Sequence, residues 1–116
     1  MANTFKIKTN DAMPTSAGTP LTLYTVPGST TTVVLGLMLC NVDTSQRLVD
    51  VQIVSDTSDT ETNSTVFAIK DAPIPAGSTL EVMAGNKVVL QTTDVLKIDC
   101  DVAAKIDATL SIMEIT

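Results

Sequence analysis

The stretch that decides the fold is Ile106 to Ile115, IDATLSIMEI, in which apolar and polar residues alternate. Side chains in a β-strand point alternately to its two faces, so this stretch predicts a strand with one face on a hydrophobic core. The core face would carry Ile106, Ala108, Leu110 and Ile112. The other face begins with Asp107, Thr109 and Ser111 and ends with Met113 and Ile115.

Similar short patterns recur along the rest of the chain. They predict strands over residues 5–8, 21–26, 31–41, 46–55, 66–69, 80–82, 87–90 and 96–101. Turn signals such as Pro27-Gly28 and Gly85-Asn86 separate these stretches. Residues 31–41 are apolar almost throughout, which indicates a central strand covered on both faces, with a bulge at Gly36. Pro73 and Pro75 lack the amide donor of a ladder, so we expect them to interrupt pairing.

Composition agrees with an all-β chain. Thr, Val and Ile account for 40 of the 116 residues, and these β-branched side chains favour a pleated surface over a helix. The sequence therefore predicts a single-domain antiparallel β-sandwich of eight or nine short strands. A jelly roll and an immunoglobulin-like topology both fit this pattern. Within it, residues 1–20 would form an N-terminal strand and an extended arm, and residues 21–116 the sandwich.

Several classes of function are disfavoured by composition. The chain has no His and no Trp, which excludes Ser-His-Asp and Cys-His catalysis, and we expect no enzyme and no cofactor. The formal net charge of −6 would repel phosphate backbones, so nucleic acid is not an expected partner. No apolar run is long enough to cross a membrane, and no signal-peptide core is present, so we expect synthesis in a cytoplasm.

An acidic loop offers the one candidate for metal binding. Asp56, Asp59 and Glu61 could supply oxygen ligands to a hard cation such as Ca²⁺. The loop lacks the glycine and the terminal glutamate of an EF-hand, and a solvated acidic loop is the commoner explanation of its composition. A Ca²⁺- or carbohydrate-binding module therefore stays an alternative, although Tyr24 is the only Tyr available to stack on a sugar.

The two cysteines, Cys40 and Cys100, lie sixty positions apart. Two thiols alone do not complete a zinc site, so they are expected to be buried and reduced. A disulfide between neighbouring strands stays open as an alternative, because sequence does not give the separation of the two residues.

Apolar side chains exceed what one core needs. The chain is 44% hydrophobic, with a mean hydropathy of +0.30. A two-layer sandwich buries only one face of each sheet, so apolar residues on the second faces are candidates for contact with other molecules. These interface candidates are Val54, Val88, Val95, Met113 and Ile115. We therefore expect a homo-oligomer.

The order and spacing of several motifs resemble those of small virion structural proteins of tailed phages, especially phages of marine cyanobacteria. The motifs are LYTVP at residues 23–27, GL at 36–37 leading to Asn41, IPAGSTL at 74–80, LQTTDVL at 90–96 and SIMEI at 111–115. Similar proteins often have a glycine before the aspartate of the fourth motif, where this chain has Thr93.

The resemblance implies a non-enzymatic β-sandwich that joins a virion. The expected role is that of a capsid decoration, or cement, protein: an oligomer, such as a trimer, that stabilises the capsid lattice by binding the major capsid protein. A place in the neck, the tail or a fibre attachment is the alternative.

Overall fold

The computed structural model describes residues 2–55, 62–83 and 86–116, and these residues form nine β-strands. The strands are β1 (Asn3–Met13), β2 (Leu21–Thr25), β3 (Thr31–Asn41), β4 (Arg47–Val54), β5 (Val66–Ile74), β6 (Thr79–Glu81), β7 (Val88–Leu90), β8 (Val95–Cys100) and β9 (Ile106–Ile115). All pairings between them are antiparallel, and the strands form two sheets around one core. The predicted all-β sandwich is confirmed.

The strand order identifies the topology as a jelly roll. The first sheet has the order β1-β9-β3-β6, with β7 also paired to β3, and the second has the order β2-β8-β4-β5. The first strand thus pairs with the last, β2 with β8, β3 with β6 and β7, and β4 with β5. A jelly roll is an eight-stranded sandwich made of two Greek keys. The order found here matches it when β6 and β7 are counted together as one interrupted strand. Of the two topologies that the sequence left open, the structure has the jelly roll.

Strand β9 has the predicted alternation and lies between β1 and β3. Its residues Leu110 and Ala108 pair with Leu37 and Leu39 of β3, and all four side chains are buried. The core contains the following buried apolar residues: Met13, Leu23, Tyr24, Val26, Val34, Leu37, Leu39, Val49, Val51, Ile74, Met83, Leu90, Leu96, Ile98, Cys100, Ile106, Ala108, Leu110 and Ile112. Both sheets contribute to it, as sandwich packing requires.

The bulge predicted at Gly36 is present, since the register of β3 against β9 shifts between Val34 and Gly36. A Cβ at Gly36 would lie 3.4 Å from Oε1 of Glu81 on β6, so the small residue also leaves room for this side chain. The bulge turns Leu35 outward, where it is exposed.

Strand β1 is longer than the sequence predicted. It continues past residue 8 to Met13, whose side chain is fully buried, so residues 10–13 belong to the sheet rather than to an arm. Residues 14–20 run along the surface of the sandwich. Two backbone hydrogen bonds attach them there: Ala104 N donates to Pro14 O, and Gly18 N donates to Cys100 O. The polar composition of residues 10–20 did not reveal that residues 10–13 continue β1. An edge strand needs few apolar side chains, so composition gives little signal for it.

Strand β5 also runs further than predicted, through Pro73 to Ile74. Proline is tolerated there because β5 is an edge strand, which pairs along one side only. The pairing is irregular, with register shifts on both sides of Val51 and a positive φ of 51° at Asp71.

Two tight turns have the same conformation but different residues at the critical position. In the turn 75–78, Ser78 N donates to Pro75 O and Gly77 has a φ of 73°. In the turn 91–94, Asp94 N donates to Gln91 O and Thr93 has a φ of 74°. A positive φ at the third position defines a type II turn, which favours glycine. Thr93 therefore holds a conformation that strains a β-branched residue.

We predict that Thr93→Gly is more stable than Thr93→Ala by about 1 kcal/mol, because alanine keeps the Cβ that strains a left-handed residue. Both variants lose the same hydroxyl, so their difference isolates the backbone conformation. Urea unfolding of the two variants measures it. An alanine variant at least as stable as the glycine variant would contradict the prediction.

Candidate assembly interface

A row of four apolar side chains crosses the outer face of the first sheet. Phe5 of β1 pairs with Met113 of β9, Met113 pairs with Val33 of β3, and Val33 pairs with Val89 of β7. Phe5 is 71% exposed and Val89 is 60% exposed, whereas Met113 and Val33 are half-buried between them. We call these four residues the apolar row.

Further apolar side chains extend this surface. Ile115 lies one pleat from Met113 on β9, and Ile7 and Leu35 are exposed on β1 and at the bulge of β3. The apolar row contains no charged residue. The acidic side chains of this face, Glu81 and Asp107, lie opposite Met38 and Cys40, away from the row. Contiguous exposed apolar surface without charge is typical of a protein contact site.

The outer face of the second sheet is different in character. Its central row runs from Thr22 through Lys97 and Gln52 to Phe67, and a neighbouring pair consists of Asp99 and Asp50. Charged and amide side chains therefore alternate with single apolar ones, as on an ordinary solvated sheet. The two faces of the sandwich are unequal, and the apolar one is formed by β1, β9, β3 and β7.

The structure separates the five interface candidates into three groups. Met113 and Ile115 lie on the apolar outer face and are half-buried. Val54 and Val95 face each other across β4 and β8 on the second sheet, so each covers the other. Val88 packs against the hydrophobic core and does not belong to an outer surface.

Sequence reasoning did not identify four members of the apolar face, Phe5, Ile7, Val33 and Val89. A signal was present for the first two, since they alternate with Lys6 and Lys8. In a strand of alternating apolar and polar residues, the apolar ones usually face the core, but Phe5 and Ile7 face outward. Val33 and Val89 lie within continuous apolar stretches, where the pattern does not tell the two faces apart.

The open edge between β1 and β2 forms a cleft of about 490 Å³. Its floor includes the buried side chains of Leu23 and Ile112, and Lys6 and Lys8 line one side. The lysines point inward because they pair with Ile112 and Leu110, residues of the core face of β9. Inward-pointing charges on an edge strand hinder uncontrolled pairing with other edges.

A polar network ties the two sheets together beside this cleft. The Tyr24 hydroxyl donates to Glu114 Oε2 at 2.6 Å, and Lys6 Nζ lies 2.7 Å from Glu114 Oε1. The Tyr24 hydroxyl also lies 2.8 Å from Thr32 Oγ1. Since its one hydrogen goes to Glu114, Thr32 is the donor in this second bond. The network joins β2 of the second sheet to β1, β3 and β9 of the first.

The network shifts the pKa values of Glu114 and Tyr24 in opposite directions. The ion pair with Lys6, followed by the hydrogen bond from Tyr24, lowers the pKa of Glu114. Burial, followed by the hydrogen bond to Glu114, raises the pKa of Tyr24 to about 12. The folded state thus favours a charged Glu114 beside a neutral Tyr24.

The two cysteines are free thiols in different sheets, Cys40 on β3 and Cys100 on β8. Cys40 is half-buried on the outer side of β3, and Cys100 is buried. Burial raises the pKa of the Cys100 thiol to about 11, which leaves little reactive thiolate at neutral pH.

Asp56, Asp59 and Glu61, the metal-ligand candidates, lie outside the described residues. Within residues 2–55, 62–83 and 86–116, no group of three or more acidic or cysteine side chains is placed to hold a metal ion. The same residues contain no helix that is long and apolar enough to span a membrane.

Comparisons with known proteins support the fold. No model of a protein family matches the chain, and no curated protein matches it. Among solved structures, the chain is similar to one described by the words "Bacillus endospore appendages form a novel family of disulfide-linked pili". The TM-score is 0.50 at 15% sequence identity, over 100% of this chain and 91% of the other. A likeness at this identity shows a shared fold.

We predict that Tyr24→Phe lowers the free energy of unfolding by about 1–3 kcal/mol, because it leaves the buried Glu114 and Thr32 groups without their shared partner. Urea unfolding measures the loss, and Thr22→Ala, at an exposed position of the same strand, is the control with almost no effect. A Tyr24→Phe loss no larger than that of the control would show that the network does not stabilise the fold.

The same network predicts how stability depends on pH. The folded-state pKa of Glu114 is lowered, so its stabilisation is complete above the unfolded value of 4.5 and is lost as the pH falls through the lowered value. The folded-state pKa of Tyr24 is raised, so its contribution is complete below 10 and is lost as the pH rises towards about 12. Glu114→Gln should therefore flatten the acid limb of the stability curve; an unchanged acid limb would contradict this assignment.

Proposed function

We propose that this protein is a non-enzymatic structural protein of a tailed-phage virion, and specifically a capsid decoration protein. In this proposal, it is made in the host cytoplasm and binds, as a homo-oligomer, to the lattice of the major capsid protein. The observation that carries the proposal is the apolar row on one face of the jelly roll. A protein that works by contact needs such a surface and needs no catalytic group.

The size of the apolar outer face supports a contact made many times over rather than an isolated tight dimer. This face comprises the apolar row and its neighbours Ile7, Leu35 and Ile115; four strands at a spacing of about 4.8 Å and three side-chain positions along each cover roughly 300–400 Å². A stable interface buries about 800 Å² on each partner, so one such contact alone is weak. Repetition on a lattice converts weak contacts into a stable assembly. The resemblance of the sequence motifs to those of virion proteins supports a phage particle as that assembly, and a capsid lattice is the part of it that offers the most repeats.

Counting copies in purified particles tests the proposal. Quantitative mass spectrometry should find hundreds of copies for each particle if the protein decorates the capsid. About six or twelve copies, as ring symmetry gives, would instead place it in the neck, the tail or a fibre attachment. Absence of the protein from the particles would refute a role in the virion.

A filament subunit is the second candidate, and the jelly-roll likeness to a chain from endospore pili favours it. Those pili are described as disulfide-linked. Among the described residues, Cys40 is the thiol that such a link would use, since Cys100 is buried. Electron microscopy of the concentrated protein distinguishes the two functions, because a filament subunit forms fibres and a decoration protein forms closed oligomers.

We predict that, at concentrations high enough for the unmodified protein to oligomerise through this weak contact, Val89→Asp shifts it from oligomer to monomer, because the new charge would have to be desolvated within the apolar contact. Phe67→Asp is the matched control: Phe67 is also exposed, at 45%, but lies beside Gln52 on the outer face of the second sheet. Light scattering measures the mass of both variants, and thermal unfolding checks that both are folded. Equal oligomer masses for the two variants would exclude the apolar row as the contact.

A further inference from the structure

We propose that the N-terminal segment of β1, residues 2–10, is exchanged between neighbouring copies of this chain, so that it pairs with β9 of the neighbour. The exchange deepens the proposed function, because it rests on assembly and names the segment and the partner strand that would link the copies. It follows from the way in which β1 is attached to its own subunit.

Residues 2–10 contribute no buried side chain to the core, whereas Met13 at the end of β1 is part of it. The inward positions of the segment are Thr4, Lys6, Lys8 and Asn10, and these pair with buried residues of β9. The other edge strands differ in this respect: β2 buries Leu23, β5 buries Ile74, β7 buries Leu90, and β6 packs its half-buried Leu80 against the core. Burial of apolar surface is the main force that holds a strand in place, so residues 2–10 are held chiefly by their backbone ladder and by the Lys6–Glu114 ion pair.

A hinge separates this segment from its anchor. The register against β9 is regular from Asn3 to Asn10 and then shifts before Met13, whose side chain is fully buried. Asp11 and Ala12 lie in the irregular stretch, and both are exposed. Asn10 Oδ1 accepts a hydrogen bond from Ala12 N, a local contact that needs no support from the rest of the subunit. Met13 can therefore stay in its own core while the preceding residues change direction.

Every contact of the segment can be made equally well by a second copy. The ladder to β9, the pair of bonds between Ala2 and Thr116, and the ion pair to Glu114 would form between chains in the same geometry as within one chain. Exchange of an identical element therefore costs little, and a high local concentration on a lattice favours it.

Exchange would also continue the apolar surface from one copy to the next. Among the described residues, Phe5 and Ile7 are the two most exposed of the large apolar side chains, at 71% and 68%, and both lie on the segment. On a neighbour's β9, Phe5 would stand beside that copy's Met113 and complete its apolar row. A two-residue hinge spans about 7 Å, so the two copies must already be in contact at this edge.

Disulfide trapping tests the exchange. Thr9 and Thr109 are register partners on β1 and β9, and Thr109 is also the partner of Met38 on β3. Paired residues of antiparallel strands are close enough for a disulfide. In a background with Cys40→Ser and Cys100→Ala, a Thr9→Cys chain and a Thr109→Cys chain are co-expressed and the oligomer is oxidised. A Met38→Cys chain co-expressed with the Thr109→Cys chain is the control, because β3 is a central strand that is not free to exchange.

Exchange predicts a disulfide-linked dimer in the first pair at a level several-fold above the control, with the link between residues 9 and 109 identified by peptide mass spectrometry. A first pair that gives no more linked dimer than the control overturns the proposal. A double variant, Thr9→Cys with Thr109→Cys on one chain, verifies that the two positions form a disulfide. If exchange fails while light scattering still shows an oligomer sensitive to Val89→Asp, only the strand exchange is refuted and the proposed function is untouched.

Discussion

The structure depends on the pairing of β9 on both of its sides. This strand is hydrogen-bonded to β1 along one edge and to β3 along the other, and it brings both ends of the chain into one sheet. Its strict alternation sends Leu110 and Ile112 into the core and Met113 to the outer face. A slip of one residue would reverse both faces at once, so the core and the apolar row are fixed by the same register.

The two faces of the first sheet obey different constraints. The inner face is closed against the second sheet and completed by the Tyr24–Glu114–Lys6 network, in which a buried carboxylate has both a cation and a hydroxyl donor. Pairing of this kind is what makes a buried charge tolerable. The outer face has no second layer within the described chain, and its apolar side chains are exposed or half-buried, as is typical of a contact surface.

Strand β1 differs from the rest of the first sheet in what it places on the inner and the outer face. Its lysines face inward at an open edge, and its Phe5 and Ile7 face outward. Because of this reversal of the usual pattern, residues 3–10 of β1 bury no apolar side chain in the core and expose two on the outer face. The inward lysines also limit indiscriminate edge pairing, and the proposed exchange avoids their effect because a strand of the same sequence takes the same place.

The sequence alone determined the class of fold, most of the strands and the bulge at Gly36, because period-two patterns and turn residues act locally. It also indicated that the chain has more apolar surface than one sandwich hides. The tertiary structure decided which of these residues face outward: it turned Val88 to the core and brought Phe5, Val33 and Val89 into one row with Met113. It also decided for the jelly roll, and it placed Lys6 against Glu114. These outcomes depend on pairing between strands far apart in the chain, and a local pattern does not record which strands become neighbours.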